Sequence, residues 1–246
     1  MKKYIVVLIS AVAGLTAGCA NTDVGGMVGA GGAFFKAATL SDADVKTLSV
    51  QACDDADKKN KLAPANSKYS QRLGKIMAGL KNNDVPVEAR VYLANEVNAW
   101  AMANGCVRVY SGLMDMMNDD EVRGVLGHEI GHVALGHTKK AMQVGYTTLA
   151  ARGALAASGN SALATLSNSQ LGELTESLIN AQFSQSQESA ADDYSLDLLK
   201  KNNANLSGLV SAFEKLAKLD GGDSSMFSSH PGSKDRAKRL QDKIAK

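Results

Sequence analysis

The sequence predicts a mainly helical α+β fold with a small β-hairpin next to a histidine-rich helix. Three observations support this prediction. From residue 41 onward, apolar residues recur at helical spacing in most segments. The segment "VEARVYL", Val87–Leu93, instead alternates with a period of two, which is typical of a strand. The segment "NAWAMANGCVRVY" follows, and its Asn104-Gly105 pair is typical of a hairpin turn because both residues accept positive φ.

The first 18 residues have the layout of a secretory signal peptide. Lys2 and Lys3 precede an apolar run that ends near Leu15, and small residues follow it. This run is shorter than the roughly 20 apolar residues that span a bilayer, although a membrane-anchoring helix is the alternative. The signal ends in "TAGC", which resembles the lipobox of bacterial lipoproteins. We therefore expect acylation of Cys19, and Ala20 after it favours the outer membrane, facing the periplasm of a Gram-negative cell.

The next segment, residues 19–40, contains the glycine-rich stretch "GGMVGAGGA" and is predicted to be a tether between lipid and domain. The folded domain is predicted to cover residues 41–246. It starts at "SDAD", where Ser41 can cap a helix with an acidic residue three positions later. A second helix is predicted from Ser67 to Leu80.

Charge and cysteine content restrict the classes of partner and compartment. Without Lys2 and Lys3 the chain carries 25 basic and 25 acidic residues, so no basic surface for nucleic acid is expected. Once Cys19 is assigned to the lipid, Cys53 and Cys106 remain as a pair. In an oxidising compartment such a pair is predicted to form a disulfide, and two buried free thiols are the alternative.

The segment "NDDEVRGVLGHEIGHVALGHTKK" carries the chemistry. Asn118 can cap a helix, and His128 and His132 are four residues apart, so their side chains lie on one helical face. Glu129 lies one step around the helix, close to any ion held by the two rings. This is the H-E-x-x-H arrangement of zinc sites, in which the glutamate acts as a general base. A pair of satisfied core histidines is the alternative.

The same helix contains three glycines, at positions 124, 127 and 131. Each costs about 1 kcal/mol relative to alanine in a helix interior. We therefore expect another element to pack very close to this backbone.

A third histidine, His137, follows His132 by five residues. In metzincins a glycine lies three residues after the second histidine ligand, and the third histidine ligand lies six residues after the second. Neither spacing occurs here. On a continuing helix His137 lies on the side opposite His128, away from the ion. Packing or capping of the helix C-terminus is the predicted role.

A zinc site needs a third protein ligand in addition to the two histidines. The pair Glu188 and Asp192, four residues apart in "ESAAD", stands out, with Glu188 as ligand and Asp192 as hydrogen-bond partner of a ligating ring. An ordinary acidic helix face is the alternative. The acidic residues on predicted helices downstream of the motif are Glu173, Glu176, Glu188, Asp192, Asp193 and Asp197.

Four segments together resemble the zinc peptidases related to HtpX and the CAAX prenyl endopeptidases. They are "YSGLMDMMNDDE", "GHEIGHVALGH", "SQSQESAADDYS" and "SSHPGSKDRAKRL", and they cover most of residues 41–246. The resemblance implies a zincin-like (gluzincin) peptidase domain. It also implies Glu188 as third ligand, Asp192 behind a ligating histidine, and a His-Pro motif at His230 with a downstream Arg236.

The activity that the resemblance implies is zinc-dependent endopeptidase cleavage, with one Zn²⁺ per chain. Glu129 is expected to accept a proton from the attacking water, and His230 to donate a hydrogen bond to the developing oxyanion. An edge strand is expected to pair with extended substrate near Ala101, Met102, Ala103 and Asn104.

Two further expectations concern partners. The substrates are expected to be periplasmic or outer-membrane proteins, most of them misfolded. A chaperone-like assembly factor for outer-membrane proteins, with latent or secondary protease activity, is the alternative function.

Residues 145–170 are rich in Ala, Ser, Gly and Thr, and this composition is compatible either with a loose helix or with a cover over the cleft.

Overall fold

The computed structural model describes residues 40–152, 166–219 and 229–245. The signal peptide, Cys19, nearly all of the tether and residues 153–165 lie outside this part. Helices dominate the described chain and a small sheet accompanies them, so the mainly helical α+β prediction is confirmed. The elements are α1 Asp42–Lys59, α2 Lys68–Ala78, β1 Glu88–Tyr92, β2 Ala99–Ala101, β3 Cys106–Tyr110, α3 Ser111–Met116, α4 Asp119–Ala134, α5 His137–Ala151, α6 Asn168–Ile179, α7 Gln185–Lys201, α8 Ser207–Lys218 and α9 Ser233–Ile244.

The sheet has the order β1-β3-β2, with β1 parallel and β2 antiparallel to β3. The hairpin between β2 and β3 closes where Met102 N donates to Cys106 O. Of the predicted Asn-Gly pair only Gly105 has a positive φ, +84°. A side chain there would also collide with the backbone, since a Cβ atom would lie 1.7 Å from Pro86 O. Asn104 instead accepts a hydrogen bond from Cys106 N through its side chain.

This geometry corrects the predicted edge strand. Only Ala101 of the four predicted residues belongs to β2, and Met102, Ala103 and Asn104 form the turn. The reason is that the left-handed Gly105 ends the strand pairing at Met102. Strand β2, Ala99–Ala101, is one of the two edge strands of this sheet, and β1 is the other.

Helix α4 lies at the centre of the described domain. It packs against α7, α8, α2 and β2, and its apolar residues Val122, Val125, Leu126 and Ile130 are fully buried. The predicted close approach is present: a Cβ atom on Gly124 would lie 2.8 Å from Leu209 Cα. The glycines therefore allow neighbouring backbones to reach the helix that carries the histidines.

A second cluster of buried apolar residues connects α1 with α5 and α6, and it includes Leu48, Met142, Leu149 and Leu174. Helix α1 begins at the predicted cap, where Ser41 and Asp44 form a capping box. A disulfide between Cys53 and Cys106 joins this helix to the start of β3.

Residues 173–201 belong to two separate helices, α6 and α7. The first helix ends at Ile179, and the second begins at Gln185. The second helix has its own capping box, formed by Ser184 and Gln187. Within the three described ranges, no helix is both long and apolar enough to cross a bilayer.

Candidate metal centre

Helix α4 brings His128 and His132 together at the centre of the domain. Their Nε2 atoms are 3.1 Å apart, and both rings are buried. The helix starts at a capping box in which Asn118 accepts from the backbone of Glu121 and the Glu121 carboxylate accepts from Asn118 N. The helix thus begins at Asn118, as the sequence predicts.

Glu188 comes to the same point from the first turn of α7. Its Oε2 atom is 3.4 Å from His128 Nε2 and its Oε1 atom is 3.4 Å from His132 Nε2. Helix α7 packs very close to α4 at two glycines. A Cβ atom on Gly127 would lie 2.6 Å from Ser195 Oγ, and one on Gly131 would lie 3.0 Å from Ala191 O. The helical glycines are thus part of the reason why Glu188 can meet the two rings.

His230 also enters this cluster, from the segment before α9. Its Nδ1 atom lies 3.0 Å from Glu188 Oε1 and 3.2 Å from His128 Nε2, and its Nε2 atom lies 3.5 Å from Glu129 Oε1. One ligand atom from each of His128, His132, Glu188 and His230 fits within 4.8 Å of the others. The sequence analysis assigns His230 to the oxyanion, whereas the structure places its Nδ1 among the potential ligand atoms.

Asp192 and Arg236 support the cluster from outside. Asp192 Oδ1 lies 3.0 Å from His128 Nδ1, and Arg236 donates to both oxygens of this carboxylate. The guanidinium also lies 2.5 Å from Glu188 Oε2 and 4.1 Å from the centroid of the Phe213 ring. Asp192 therefore lies behind a candidate ligand, while Arg236 connects Asp192 with Glu188.

The structure brings two further residues to the site: His137, which the sequence places away from the ion, and Phe183, which the sequence predictions do not include. His137 Nδ1 lies 3.0 Å from His132 Nδ1, because the chain turns at Gly136, with φ +73°, and α5 starts at His137. The predicted orientation away from the site is wrong since α4 does not continue. The Phe183 ring stacks on His132 with centroids 4.0 Å apart. A lone aromatic residue in the polar segment "NAQFSQS" is the signal that points to it.

Burial and neighbouring charges set the protonation states. Burial lowers the pKa of His132 to about 4 and also lowers that of His128, so both rings are neutral at pH 7. Burial by itself raises the pKa of Glu188, but hydrogen bonds from His132 and His230 outweigh it and lower the pKa. Neutral imidazoles and an ionised carboxylate are the forms that bind a metal.

Glu129 lies beside the cluster without belonging to it. Burial raises the pKa of its carboxyl to about 7, and its Oε1 atom is buried with no hydrogen-bond partner in the part of the chain that the structure describes. A carboxyl with such a pKa can accept and return a proton near neutral pH.

The donor atoms fit a divalent metal ion. Two neutral ring nitrogens face one another at 3.1 Å with a carboxylate beside both, and a shared cation satisfies all three groups at once. A second group of potential ligands, Cys53, Glu88 and Cys106, is not available in the same way because its two sulfur atoms form the disulfide.

Comparison with known proteins agrees with this geometry. The sequence profile of Peptidase family M48 matches residues 64–244, a range that contains every residue of the cluster. The chain belongs to peptidase family M48. As an M48 peptidase with a buried His-His-Glu cluster, it is a metalloendopeptidase that acts on peptide or protein substrates, and its domain has the zincin-like fold.

Similarity to individual M48 relatives extends over the whole chain. It is 53% identical to the metalloprotease LoiP of Escherichia coli (strain K12), over 100% of this chain and 98% of that protein. It is 52% identical to the metalloprotease YcaL of the same organism, over 98% and 97%. A protease HtpX homolog of Salinibacter ruber is 30% identical over 56% of this chain and 60% of its own length. The resemblance inferred from the four sequence segments is confirmed.

Proposed function

We propose that this M48 peptidase uses one Zn²⁺ per chain and is anchored to the outer membrane by a lipid on Cys19. Its proposed substrates are periplasmic or outer-membrane proteins, chiefly misfolded ones. The single observation that carries the catalytic part is the convergence of His128, His132 and Glu188, with the Glu129 carboxylate beside them.

The donor set supports zinc. Two histidine nitrogens and one carboxylate oxygen are the protein ligands of many catalytic zinc sites, whereas magnesium and calcium prefer sites made of oxygen alone. The chemistry that such an ion supplies is activation of a water molecule and polarisation of the peptide carbonyl.

Glu129 is the proposed general base. Its orphan Oε1 atom is available to accept a proton from the attacking water, and the carboxyl then passes this proton to the leaving amine. Its pKa of about 7 suits both steps, and a nearby cation holds it in the ionised form that the first step requires.

His230 is the proposed donor to the oxyanion. Burial lowers the pKa of its ring, but the charges of Glu129 and Glu188 outweigh burial and raise it. In its protonated form such a ring is a strong hydrogen-bond donor. Because Nδ1 lies 3.0 Å from Glu188 Oε1, Nε2 is the nitrogen proposed to donate to the oxyanion.

The edge strand β2 is the proposed binding site for the substrate backbone. Asn98 O and Met102 N bond to β3, so alternation along an antiparallel pair turns the backbone groups of Ala99 and Ala101 towards the open edge. Main-chain pairing there favours extended, unfolded segments of many sequences.

The lipid anchor and the location are supported by the sequence and by the disulfide. The stretch "TAGC" ends a signal-like segment, and Ala20 follows Cys19. The Cys53–Cys106 disulfide suits an oxidising compartment such as the periplasm.

Glu129→Gln tests the catalytic proposal. The variant should contain as much zinc as the wild type and should fail to digest casein, while a chelator should abolish wild-type digestion. Glu176→Gln, an exposed change on α6, is the matched control and should digest casein normally. Full activity of Glu129→Gln, or a wild type without zinc, would refute the proposal.

Cys19→Ser tests the anchor. Wild-type protein should incorporate labelled palmitate and sediment with outer membranes, whereas the variant should do neither. A wild type that carries no palmitate, or that fractionates with the inner membrane, contradicts the proposed anchor or location and leaves the catalytic proposal intact.

A further inference from the structure

The ring of His137 lies directly behind a candidate metal ligand. The left-handed Gly136 ends α4 and starts α5 at His137, so the ring turns back towards α4. Its Nδ1 atom lies 3.0 Å from Nδ1 of His132, and the two ring centroids are 5.0 Å apart. The contact is therefore a hydrogen bond between two imidazoles.

The position of His132 decides which ring donates. Its Nε2 atom faces the cluster, 3.1 Å from His128 Nε2 and 3.4 Å from Glu188 Oε1. A neutral ring that offers Nε2 to a metal carries its proton on Nδ1. This Nδ1–H points to His137, which must accept it on its own Nδ1 and keep its proton on Nε2.

We propose that His137 is a positioning residue that orients His132 for metal binding by accepting a hydrogen bond from Nδ1. The inference rests on the proposed zinc site. Outer partners of ligating histidines fix the orientation of the ring and its tautomer, and their loss typically weakens metal binding by about 10–100-fold.

The two ligating histidines would then have outer partners of different charge. His128 has the carboxylate of Asp192 behind Nδ1, whereas His132 has a neutral ring. A neutral acceptor attracts the N–H proton less strongly than a carboxylate does. The opposite nitrogen of His132 is therefore the weaker electron-pair donor to a metal, compared with that of His128.

His137 also forms one end of a cleft with a volume of about 370 Å³, which continues between α5 and α6. Its lining includes Ala141, Val144, Leu149 and Phe183, and Phe183 stacks on His132 as well. His137 and Phe183 thus both line this cleft and contact the candidate ligand His132.

Packing alone is the competing explanation, and two substitutions separate it from a hydrogen bond. His137→Leu keeps a side chain that can fill the space and removes the acceptor. His137→Asn loses the ring but can place Oδ1 at the position of the acceptor nitrogen. Lys139→Ala, on the same turn and half-exposed, is the matched control.

Zinc affinity is measured by chelator competition, and the visible absorption spectrum of the Co²⁺-substituted protein reports the geometry at the ion. His137→Leu should bind zinc about 10–100-fold more weakly and change the Co²⁺ spectrum. His137→Asn should recover most of the affinity, and Lys139→Ala should match the wild type. Thermal unfolding of the metal-free variants checks that each one folds.

Two results overturn the inference alone: wild-type zinc affinity in His137→Leu, or equal losses in His137→Leu and His137→Asn. A wild-type protein that binds no zinc overturns the proposed function together with it. The two failures are therefore distinguishable.

Discussion

Asp192 lies behind His128, with Oδ1 3.0 Å from the ring nitrogen Nδ1 that faces away from the cluster. The carboxylate is fully buried and is itself held by two hydrogen bonds from Arg236. A charged acceptor that is itself held in place fixes the orientation of the His128 imidazole. It also raises the basicity of the opposite ring nitrogen.

Asp192→Asn should therefore weaken zinc binding. The amide keeps the shape of the side chain and loses the charge that holds His128, so the dissociation constant should rise about 10–100-fold. Chelator competition measures it. Asp193→Asn is the matched control, because the neighbouring Asp193 pairs with Arg239 and Lys243 at the surface and does not contact His128. Equal zinc affinity in the two variants would contradict the assigned role of Asp192.

Gly124→Ala should destabilise the domain, because the glycines of α4 allow close helix packing. The new Cβ atom would lie 2.8 Å from Leu209 Cα, so α8 must move. Overpacking of this kind costs about 1–3 kcal/mol in the free energy of unfolding. Urea unfolding of the metal-free protein measures the change.

Gly74→Ala is the control for the previous prediction, since it changes the same residue type on α2 with no atom within 4 Å of the new Cβ. Here only helix propensity changes, and the free energy of unfolding should rise by up to about 1 kcal/mol. The two substitutions are therefore expected to change the free energy of unfolding in opposite directions. If Gly124→Ala also stabilises the protein, close packing is not the reason for glycine at position 124.

The sequence predicts the site better than it predicts the surroundings of the site. Spacing along a single helix places His128 and His132 together, and the three glycines indicate close packing. Resemblance to a family was needed to select Glu188 firmly among the six acidic residues. The reason is that α4 and α7 are distant in sequence, so their contact cannot be derived from spacing along one helix. The contact of His137 with His132 and the position of Phe183 could not be predicted for the same kind of reason: both depend on where the chain turns, at Gly136 and after Ile179.

Asp57→Asn should destabilise the protein at neutral pH. The Asp57 carboxylate accepts hydrogen bonds from the Arg108 guanidinium, which is only 1% exposed, and from the Tyr92 hydroxyl. Burial raises the pKa of Asp57, but the bonds from Arg108 and Tyr92 outweigh it, so the pKa falls below its usual value. Because Arg108 keeps a second carboxylate partner, Glu88 Oε2 at 3.0 Å, loss of the Asp57 charge should cost about 1–3 kcal/mol in the free energy of unfolding.

The same shift predicts the pH dependence. Because the pKa is lower in the folded state, the contribution of Asp57 is fully present above the unfolded pKa of about 3.9 and is lost as the pH falls through the folded value. The destabilisation by Asp57→Asn should therefore shrink in acid, as urea unfolding at pH 7 and pH 3 can show. Asp54→Asn, exposed on the same helix, is the control. A destabilisation that is equal at both pH values would argue against an ionised Asp57 in the pair.

Replacing both Cys53 and Cys106 with serine should lower stability without removing the active centre. The disulfide connects residues 53 positions apart, and closing a loop of this length stabilises the fold by about 4 kcal/mol in the chain-entropy model. It lies between α1 and β3, whereas the candidate ligands come from α4, α7 and the segment before α9. The double variant should therefore unfold at a lower urea concentration yet bind zinc and cleave casein while folded. Wild-type protein in a reducing buffer should match the variant. An unchanged unfolding midpoint would mean that the bond does not change the free energy of unfolding. Loss of zinc in a folded variant would mean that α1 helps to build the metal centre.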